Sequence, residues 1–257
     1  MRIVLMGTGN TATVLGRLMK KCGHELLQVY GRTSSSASAL ASELETNFVS
    51  TPGDITDGAD IYIIAVSDNA IANLAGELKL GNHLLVHTAG AVSKRVLQKA
   101  SRNYGVLYPL QSLRKEMDDI PPIPFLVDGN TSEDLTLLYD FAKSISNQVA
   151  KADDELRLHY HLAAVLSNNF SNHLYTLAEE YCKAKQADFR LLLPLIQQLC
   201  LRMNRYSPST LQTGPALRGD SATIELHLKL LEHMPGIKNL YTSITKSIQD
   251  HYRRTDN

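Results

Sequence analysis

Arg2-Ile3-Val4-Leu5-Met6-Gly7-Thr8-Gly9-Asn10-Thr11-Ala12-Thr13-Val14-Leu15-Gly16 decides the fold of this chain. Ile3 to Met6 is a short continuous apolar run, the pattern of a strand covered on both faces. Gly7 and Gly9 follow at once, and Val14, Leu15 and Leu18 then recur at helical spacing. Strand, glycine turn and helix together are the setting in which G-x-G-x-x-G reads as a nucleotide cradle; the glycines alone would serve an ordinary turn equally well. In the cradle Gly7 makes the tight turn and Gly9 admits a pyrophosphate to the backbone. Ala12 takes the third glycine position, small enough for close packing of helix on strand. The helix start offers free N–H groups and the positive end of its dipole. Gly7, Thr8, Gly9, Asn10, Thr11 and Ala12 are thus the predicted pyrophosphate segment.

The next 140 or so residues repeat the alternation. Leu26–Tyr30, Phe48–Val49, Ile61–Val66, His83–His87, Tyr104–Tyr108 and Pro124–Val127 read as further strands, about seven in all with the first. Asn147–Ala152 reads as a last strand or a link. Helices are expected over Ser34–Glu45, after Asp68 as its cap, after Ser93 as its cap, and around Leu135, Leu138, Phe141 and Ile145. Arg114–Pro124, with three prolines and little periodicity, reads as a loop. Strands alternating with helices imply βαβ units, a mostly parallel sheet and helices on both its faces.

After residue 152 the pattern changes. Asp153–Lys183 is one helical stretch without Pro or Gly, and Phe189–Arg205, Asp220–His233 and Ile237–Arg253 are further helices. Pro194 kinks the second of them or marks its start. The expected organisation is a dinucleotide-binding α/β domain over 1–152 and an all-α domain over 153–257.

The remaining bounds are mostly exclusions. The chain of 257 residues has a formal net charge of zero, so composition gives no reason to expect nucleic acid or an anionic membrane as a partner. No apolar run approaches a spanning helix, and the chain opens directly on a strand, with no room for a signal peptide. Three cysteines far apart and without C-x-x-C spacing fit a reducing cytoplasm and form no metal motif.

The second strand chooses the nucleotide. An NAD-type site carries a carboxylate at its end to hold the ribose 2′-hydroxyl. Here the strand runs through Tyr30 and Gly31 into Arg32, Thr33, Ser34 and Ser35, with no carboxylate. A planar guanidinium with hydroxyls and a fresh helix start suits a 2′-phosphate, so NADP is the predicted cofactor.

Ligands of open α/β sheets lie beyond the carboxyl ends of the strands. Val66 and Ser67, His87 and Thr88, and Tyr108 through Ser112 occupy such ends. His87 is either a core or capping histidine or a functional one, and Tyr108 divides evenly between packing and function. In the long helix His161, Asn168, Asn172 and Tyr175 are spaced by seven, four and three residues and therefore fall on one face. Uncharged polar residues are unusual choices for a solvated helix face, which makes the stripe a candidate site lining with His161 as proton carrier. Arg218, between two glycine turns, either aims at an anionic substrate group or pairs with Asp220.

The motifs Gly7–Ala12, Tyr30–Thr33, Ala65–Asp68, His87–Gly90, Tyr108–Gln111, His161–Ala164 with Asn168, and Thr213–Pro215 with Arg218–Asp220 run in order along nearly the whole chain. In them the chain resembles the 6-phosphogluconate dehydrogenase-like and β-hydroxyacid dehydrogenase superfamily, which includes pyrroline-5-carboxylate reductase. It resembles more closely a branch described as NADP oxidoreductase, coenzyme F420-dependent, with a C-terminal domain of unknown function. The resemblance implies an NADP-binding first domain, a second domain like the helical C-terminal domain of 6-phosphogluconate dehydrogenase, and a homodimer built through those helices. Related dehydrogenases often carry a catalytic lysine four residues before an asparagine of the long helix. That position is Ala164 counted from Asn168 and Val165 counted from Asn169. The lysine is absent, and His161 lies two turns before Asn168 instead.

The expected function is an NADP-dependent oxidoreductase moving a hydride to or from a small polar carbonyl, imine or hydroxy acid, with His161 donating the proton, Asn168 orienting the substrate and Arg218 clamping an anionic group. A nucleotide-binding sensor without turnover and an NADP:deazaflavin oxidoreductase are the competing expectations.

Overall fold

β1 (Arg2–Met6) sits inside an eight-stranded sheet of order β3-β2-β1-β4-β5-β6-β7-β8. The other strands are β2 (Glu25–Tyr30), β3 (Asn47–Val49), β4 (Ile61–Ile64), β5 (Leu84–His87), β6 (Tyr104–Pro109), β7 (Phe125–Gly129) and β8 (Val149–Lys151). A computed structural model describes residues 1–117 and 119–253 of the chain. All neighbouring strands are parallel except the antiparallel pair β6 and β7. The register of β1 on β4 runs from Ile3 opposite Ile61 to Met6 opposite Ile64.

Alternation along the strands builds two apolar layers. Ile3 and Leu5 join Ile61 and Ile63 beneath α1 (Asn10–Lys21), α2 (Ser34–Leu44) and α4 (Ser132–Ile145). Val4 and Met6 join Tyr62 and Ile64 beneath α3 (Asp68–Glu77). All four apolar residues of β1 are fully buried because each face of the strand is covered. The helices expected on both faces are therefore present, with three differences of detail. The segment left open between strand and link forms the eighth strand. Ser67, not Asp68, is the N-cap residue of α3. Ser93 does act as a cap, accepting from the Arg95 amide, but it opens a single 3-10 turn (Lys94–Leu97), not a helix. The predicted loop over Arg114–Pro124 is irregular at its described residues, Asp118 lying outside them.

The chain divides into two compact units, Met1–Asn168 and Asn169–Asn257. The division falls inside the long helical run, whereas the change in sequence pattern falls at residue 152. The run is α5 (Asp154–Ala164), a π turn over Val165–Asn169, and α6 (Phe170–Ala184). Asp153 caps α5, accepting from the Leu156 amide at 2.8 Å.

The second unit is helical throughout. After α6 come α7 (Leu193–Met203), α8 (Pro215–Arg218), α9 (Ser221–Leu230) and α10 (Pro235–Arg253). Pro194 marks the true start of α7, where a missing N–H costs nothing. No helix is long and apolar enough to cross a membrane among the described residues. Of that unit's large apolar side chains many are exposed, Leu191 at 79% and Leu195 at 71% among them.

Candidate active site

The strand order reverses between β1 and β4, and a cleft of about 590 Å³ opens beyond their carboxyl ends, where open α/β sheets hold ligands. Its floor is the turn after β1. Gly7 has φ +134°, and a Cβ there would stand 2.2 Å from the Ala65 carbonyl oxygen. The backbone is held this close by the Gly7 amide donating to Tyr30 and the Ala65 amide donating to Met6, at 2.8 and 2.7 Å. Gly9, by contrast, faces open space. It is the N-cap of α1 and supplies no capping side chain, and the first turn of α1 holds no acidic residue. The first amides of α1 are thus left for an anion. The residues present fit a dinucleotide pyrophosphate.

One end of the cleft carries Arg32 and Thr33. Arg32 is exposed and has no hydrogen bond or ion pair among the described residues, so its guanidinium is available to a phosphate. Thr33 is the N-cap of α2 and makes no capping bond. Glu77, from the end of α3, faces the same cleft. Burial and then Glu77 push the Tyr30 hydroxyl above its ordinary pKa, with Arg32 opposing. The other side of the cleft is built by Val66, Ser67 and Asp68.

Beyond β5 and β6 lies a second set of polar groups. The Tyr108 hydroxyl and His161 Nδ1 stand 3.1 Å apart in a hydrogen bond whose donor depends on the imidazole tautomer. Their rings meet edge to face, centroids 6.1 Å apart. Both side chains are half-buried. The pair rests against Gly90, where a Cβ would lie 2.8 Å from His161 Nδ1 and 2.9 Å from Tyr108 Cζ. Burial raises the Tyr108 pKa, Asp68 raises it further and Arg157 opposes, so the hydroxyl keeps its proton at neutral pH. Replacing Gly90 by alanine is expected to force this pair off its backbone, seen as loss of the mutual Tyr108–His161 contact in a crystal structure of the variant.

One turn before His161, on the same helix face, Arg157 is 1% exposed. Its Nη2 donates to the Val92 carbonyl at 2.6 Å and to Asp154 at 2.7 Å. Asp154 in turn accepts from the Ser93 hydroxyl and the Lys94 amide. Burial works against the Asp154 carboxylate, but the Ser93, Arg157 and Lys94 hydrogen bonds outweigh it and leave its pKa below the ordinary value. The network ties α5 to the segment after β5. Arg157 Nε and Nη1 and His87 Nε2 have no partner among the described atoms.

His87 is fully buried, with Nδ1 accepting from the Ala89 amide at 3.2 Å. Burial, reinforced by Arg157, pushes its imidazole down to about 4. The unfolded chain binds this proton near pH 6.5, the folded chain only near 4. The contribution of neutral His87 is therefore whole above 6.5 and is lost as pH falls toward 4. The loss amounts to about 3 kcal/mol over that window. Urea unfolding at pH 7 and pH 4.5 is expected to show a smaller pH dependence in His87→Gln than in the wild type.

The predicted residues thus fall into three groups. Gly7, Thr8, Gly9, Asn10, Thr11, Arg32, Thr33, Val66 and Ser67 line the cleft together. Ala12, Ser34, His87 and Thr88 do not line it: Ala12 is fully buried under the turn, Ser34 has passed into α2, and His87 and Thr88 are enclosed beside β4. Of the helical candidates, His161 meets Tyr108, while Asn168 is exposed on the π turn. The turn breaks the regular spacing on which the common face of His161, Asn168, Asn172 and Tyr175 was predicted. Arg218 belongs to the second unit, between Gly214 and Gly219, both at positive φ. Asp220 feels the charge of Arg218 but forms no salt bridge with it among the described residues; it caps α9, accepting from the Thr223 amide and hydroxyl at 3.0 and 2.7 Å. Sequence reasoning missed Glu77, Gly90 and Arg157. Glu77 carries no motif, Gly90 lies in the His87–Gly90 motif but only as the end of a small-residue turn, and an arginine in a charged helix reads as solvated.

A Rossmann-type sheet with a glycine cradle at its switch point defines a nucleotide-binding protein. Residues 2–90 match the family described as NADP oxidoreductase coenzyme F420-dependent, and residues 123–248 match a domain of unknown function, DUF2520. A crystal structure of a candidate NADP oxidoreductase from Bacteroides fragilis is 37% identical, with 97% of this chain and 98% of that chain covered and a TM-score of 0.89. The chain belongs to this family of NADP oxidoreductases, which joins the NADP-binding domain to DUF2520. A Thermotoga maritima protein, 24% identical over 98% of this chain and all of its own, shares the fold at a TM-score of 0.78. So does an imine reductase from Myxococcus stipitatus in complex with NADP+, 14% identical over 99% and 93% of the two chains, at 0.62. No curated protein matches the chain.

Proposed function

We propose that the chain is an NADPH-dependent reductase of a small polar carbonyl or imine, able in reverse to oxidise the corresponding hydroxy acid or amine. One observation carries this: the phosphate-ready cleft at the ends of β1 and β4 and the Tyr108–His161 pair at the end of β6, with β5 between them, lie along the same carboxyl edge of one sheet. When bound, NADPH supplies the hydride. The protein's own part is to hold the cofactor and manage a proton. The amides of α1 and the space over Gly9 hold the pyrophosphate, Arg32 and Thr33 the 2′-phosphate, and Ser67 the nicotinamide end. His161 supplies the proton, Asn168 orients the substrate, and Arg218 takes an anionic group. Solved relatives of the same fold include a pyrroline-5-carboxylate reductase from Streptococcus pyogenes and the imine reductase, which favours an imine among the substrates.

Cofactor choice is tested by melting temperature. NADPH is expected to stabilise the protein more than NADH, and Arg32→Ala to erase that difference; equal shifts in the wild type would remove the NADP assignment. Oxidation of NADPH against 1-pyrroline-5-carboxylate, a panel of 2-oxo acids and a deazaflavin tests turnover. The deazaflavin is included because of the family description of residues 2–90. Cofactor binding without oxidation by any of them would instead favour a sensor.

The partner proposed for the second unit is a second copy of the chain. Its exposed leucines at 191, 195 and 199 recur every four residues on one side of α7 and its lead-in turn. A monomer in sedimentation at micromolar concentration would overturn the homodimer.

A further inference from the structure

The Tyr108–His161 contact contains more than a place for one histidine. The tyrosine comes from the end of β6 and the histidine from α5, two residues 53 apart in sequence. Three separate features hold them together. Gly90 leaves no room for a side chain behind the pair, so the two rings lie directly on backbone. Arg157, one turn away, pins α5 to the Val92 carbonyl and to Asp154, which is itself tied to Ser93 and Lys94. The Ile64 carbonyl, at the end of the cleft-lining strand, accepts from the Thr88 amide at 3.1 Å, so the turn carrying Gly90 starts at the cleft wall. The hydroxyl of Tyr108 is therefore fixed near the carboxyl edge of the sheet, within electrostatic reach of Asp68, which lines the cleft. Both rings keep part of their surface in solvent.

We infer that Tyr108 is the group that hands the proton to the substrate and that His161 Nδ1 reloads it. The inference rests on the reductase reading above. The balance is simple. As the carbon of a C=O or C=N bond accepts the hydride, its π pair moves to the oxygen or nitrogen. That atom takes the proton of the Tyr108 O–H bond, which breaks. The phenolate left behind takes the Nδ1 proton of the imidazolium form of His161, leaving neutral imidazole, which recovers its proton from solvent. NADPH is oxidised to NADP+ and the substrate is reduced by two electrons. A tyrosine held above its ordinary pKa by burial and by Asp68 is a proton donor at neutral pH and not a base. Its phenolate is in turn a stronger base than a neutral imidazole and draws the Nδ1 proton of the protonated ring. The order is assigned from Asp68, a residue of the cleft whose charge acts on the Tyr108 hydroxyl: the tyrosine is placed toward the cofactor, and the histidine stands in hydrogen-bond contact with it.

The test uses the full chain with Tyr108→Phe, which keeps the ring and its contact with Gly90, and His161→Gln, which keeps a hydrogen-bonding side chain. NADPH affinity is measured by nicotinamide fluorescence, and turnover with 1-pyrroline-5-carboxylate and the 2-oxo acid panel. The imidazole nitrogens of His161 are observed by 15N NMR in the wild type and in Tyr108→Phe, without substrate. Tyr108→Phe is expected to lower kcat by about 100-fold or more, with KM and NADPH affinity unchanged, and to move the His161 Nδ1 resonance. His161→Gln is expected to lower kcat less, because water can reload the tyrosine. Full kcat in Tyr108→Phe with loss in His161→Gln would overturn the order and make the histidine the direct donor. An unmoved His161 resonance would overturn the pair itself. A wild type that fails to bind NADPH, or binds it and reduces no probe, would instead bring down the reductase reading, and this proton role with it.

Discussion

Gly7→Ala is expected to abolish NADP binding and to destabilise the first unit severely. The reason is steric and local. A Cβ at this position would stand 2.2 Å from the Ala65 carbonyl oxygen and 2.8 Å from its carbon, both backbone atoms that no side-chain rotation can clear. The conformation itself, at φ +134°, is one that L side chains rarely adopt. Relief requires moving β1 away from β4, and the central register Ile3–Met6 on Ile61–Ile64 is what the two apolar layers are packed against. Strain of this kind is worth about 3 kcal/mol or more. Chemical unfolding, with the wild type and Gly9→Ala alongside, measures it. Gly9→Ala meets no atom within 4 Å, so its expected cost is to NADPH affinity and not to stability. Equal stabilities for Gly7→Ala and Gly9→Ala would contradict the assignment of the first glycine to the β1–β4 approach.

Arg157→Ala is the second large effect. The side chain is the largest of the fully buried ones, and its removal leaves both a cavity and the Asp154 carboxylate without its cation. Breaking such a pair from one side costs about 3 kcal/mol, discounted here because Asp154 keeps some solvent and its bonds from Ser93 and Lys94. Arg157→Met fills most of the space, and its cost is expected to be smaller. The two variants also separate packing from positioning. If Arg157 holds α5 in register, both lose the Tyr108–His161 contact; if it only fills space, Arg157→Met retains it. Hydrogen exchange of the α5 amides reports the loosening directly.

How far the sequence alone leads is seen best by setting β1 beside Arg157. Four consecutive apolar residues followed by two glycines admit few other structures, because the period, the turn chemistry and the helix start all agree. The same holds for Arg32: a cation in place of a carboxylate at the end of the second strand is a local fact, visible without coordinates. The Tyr108–His161 pair is not local. Each residue could be seen as a candidate, but their meeting depends on Gly90 and on the docking of α5, and neither leaves a periodic trace. Arg157 is hidden for a further reason. Exposed and buried arginines look alike in sequence, and only the Val92 carbonyl and Asp154 around it show which this is. The stripe of His161, Asn168, Asn172 and Tyr175 failed as a regular face because it assumed 3.6 residues per turn through Val165–Asn169, where the helix widens.

That widening bears on how this chain is compared with its relatives. A π turn amounts to one residue inserted into an α-helix without a break in the chain. Counting four back from an asparagine to find the position of a missing lysine presumes that no such insertion lies between. Here Val165, Leu166, Ser167, Asn168 and Asn169 form the turn itself, so both counts, to Ala164 and to Val165, start inside it. An alignment with an uninterrupted helix must open a one-residue gap in this segment; left ungapped, every column from there to the end of α6 is offset by one. Two family members that differ only in the presence of the turn would then appear to have exchanged residues at positions where nothing has been substituted.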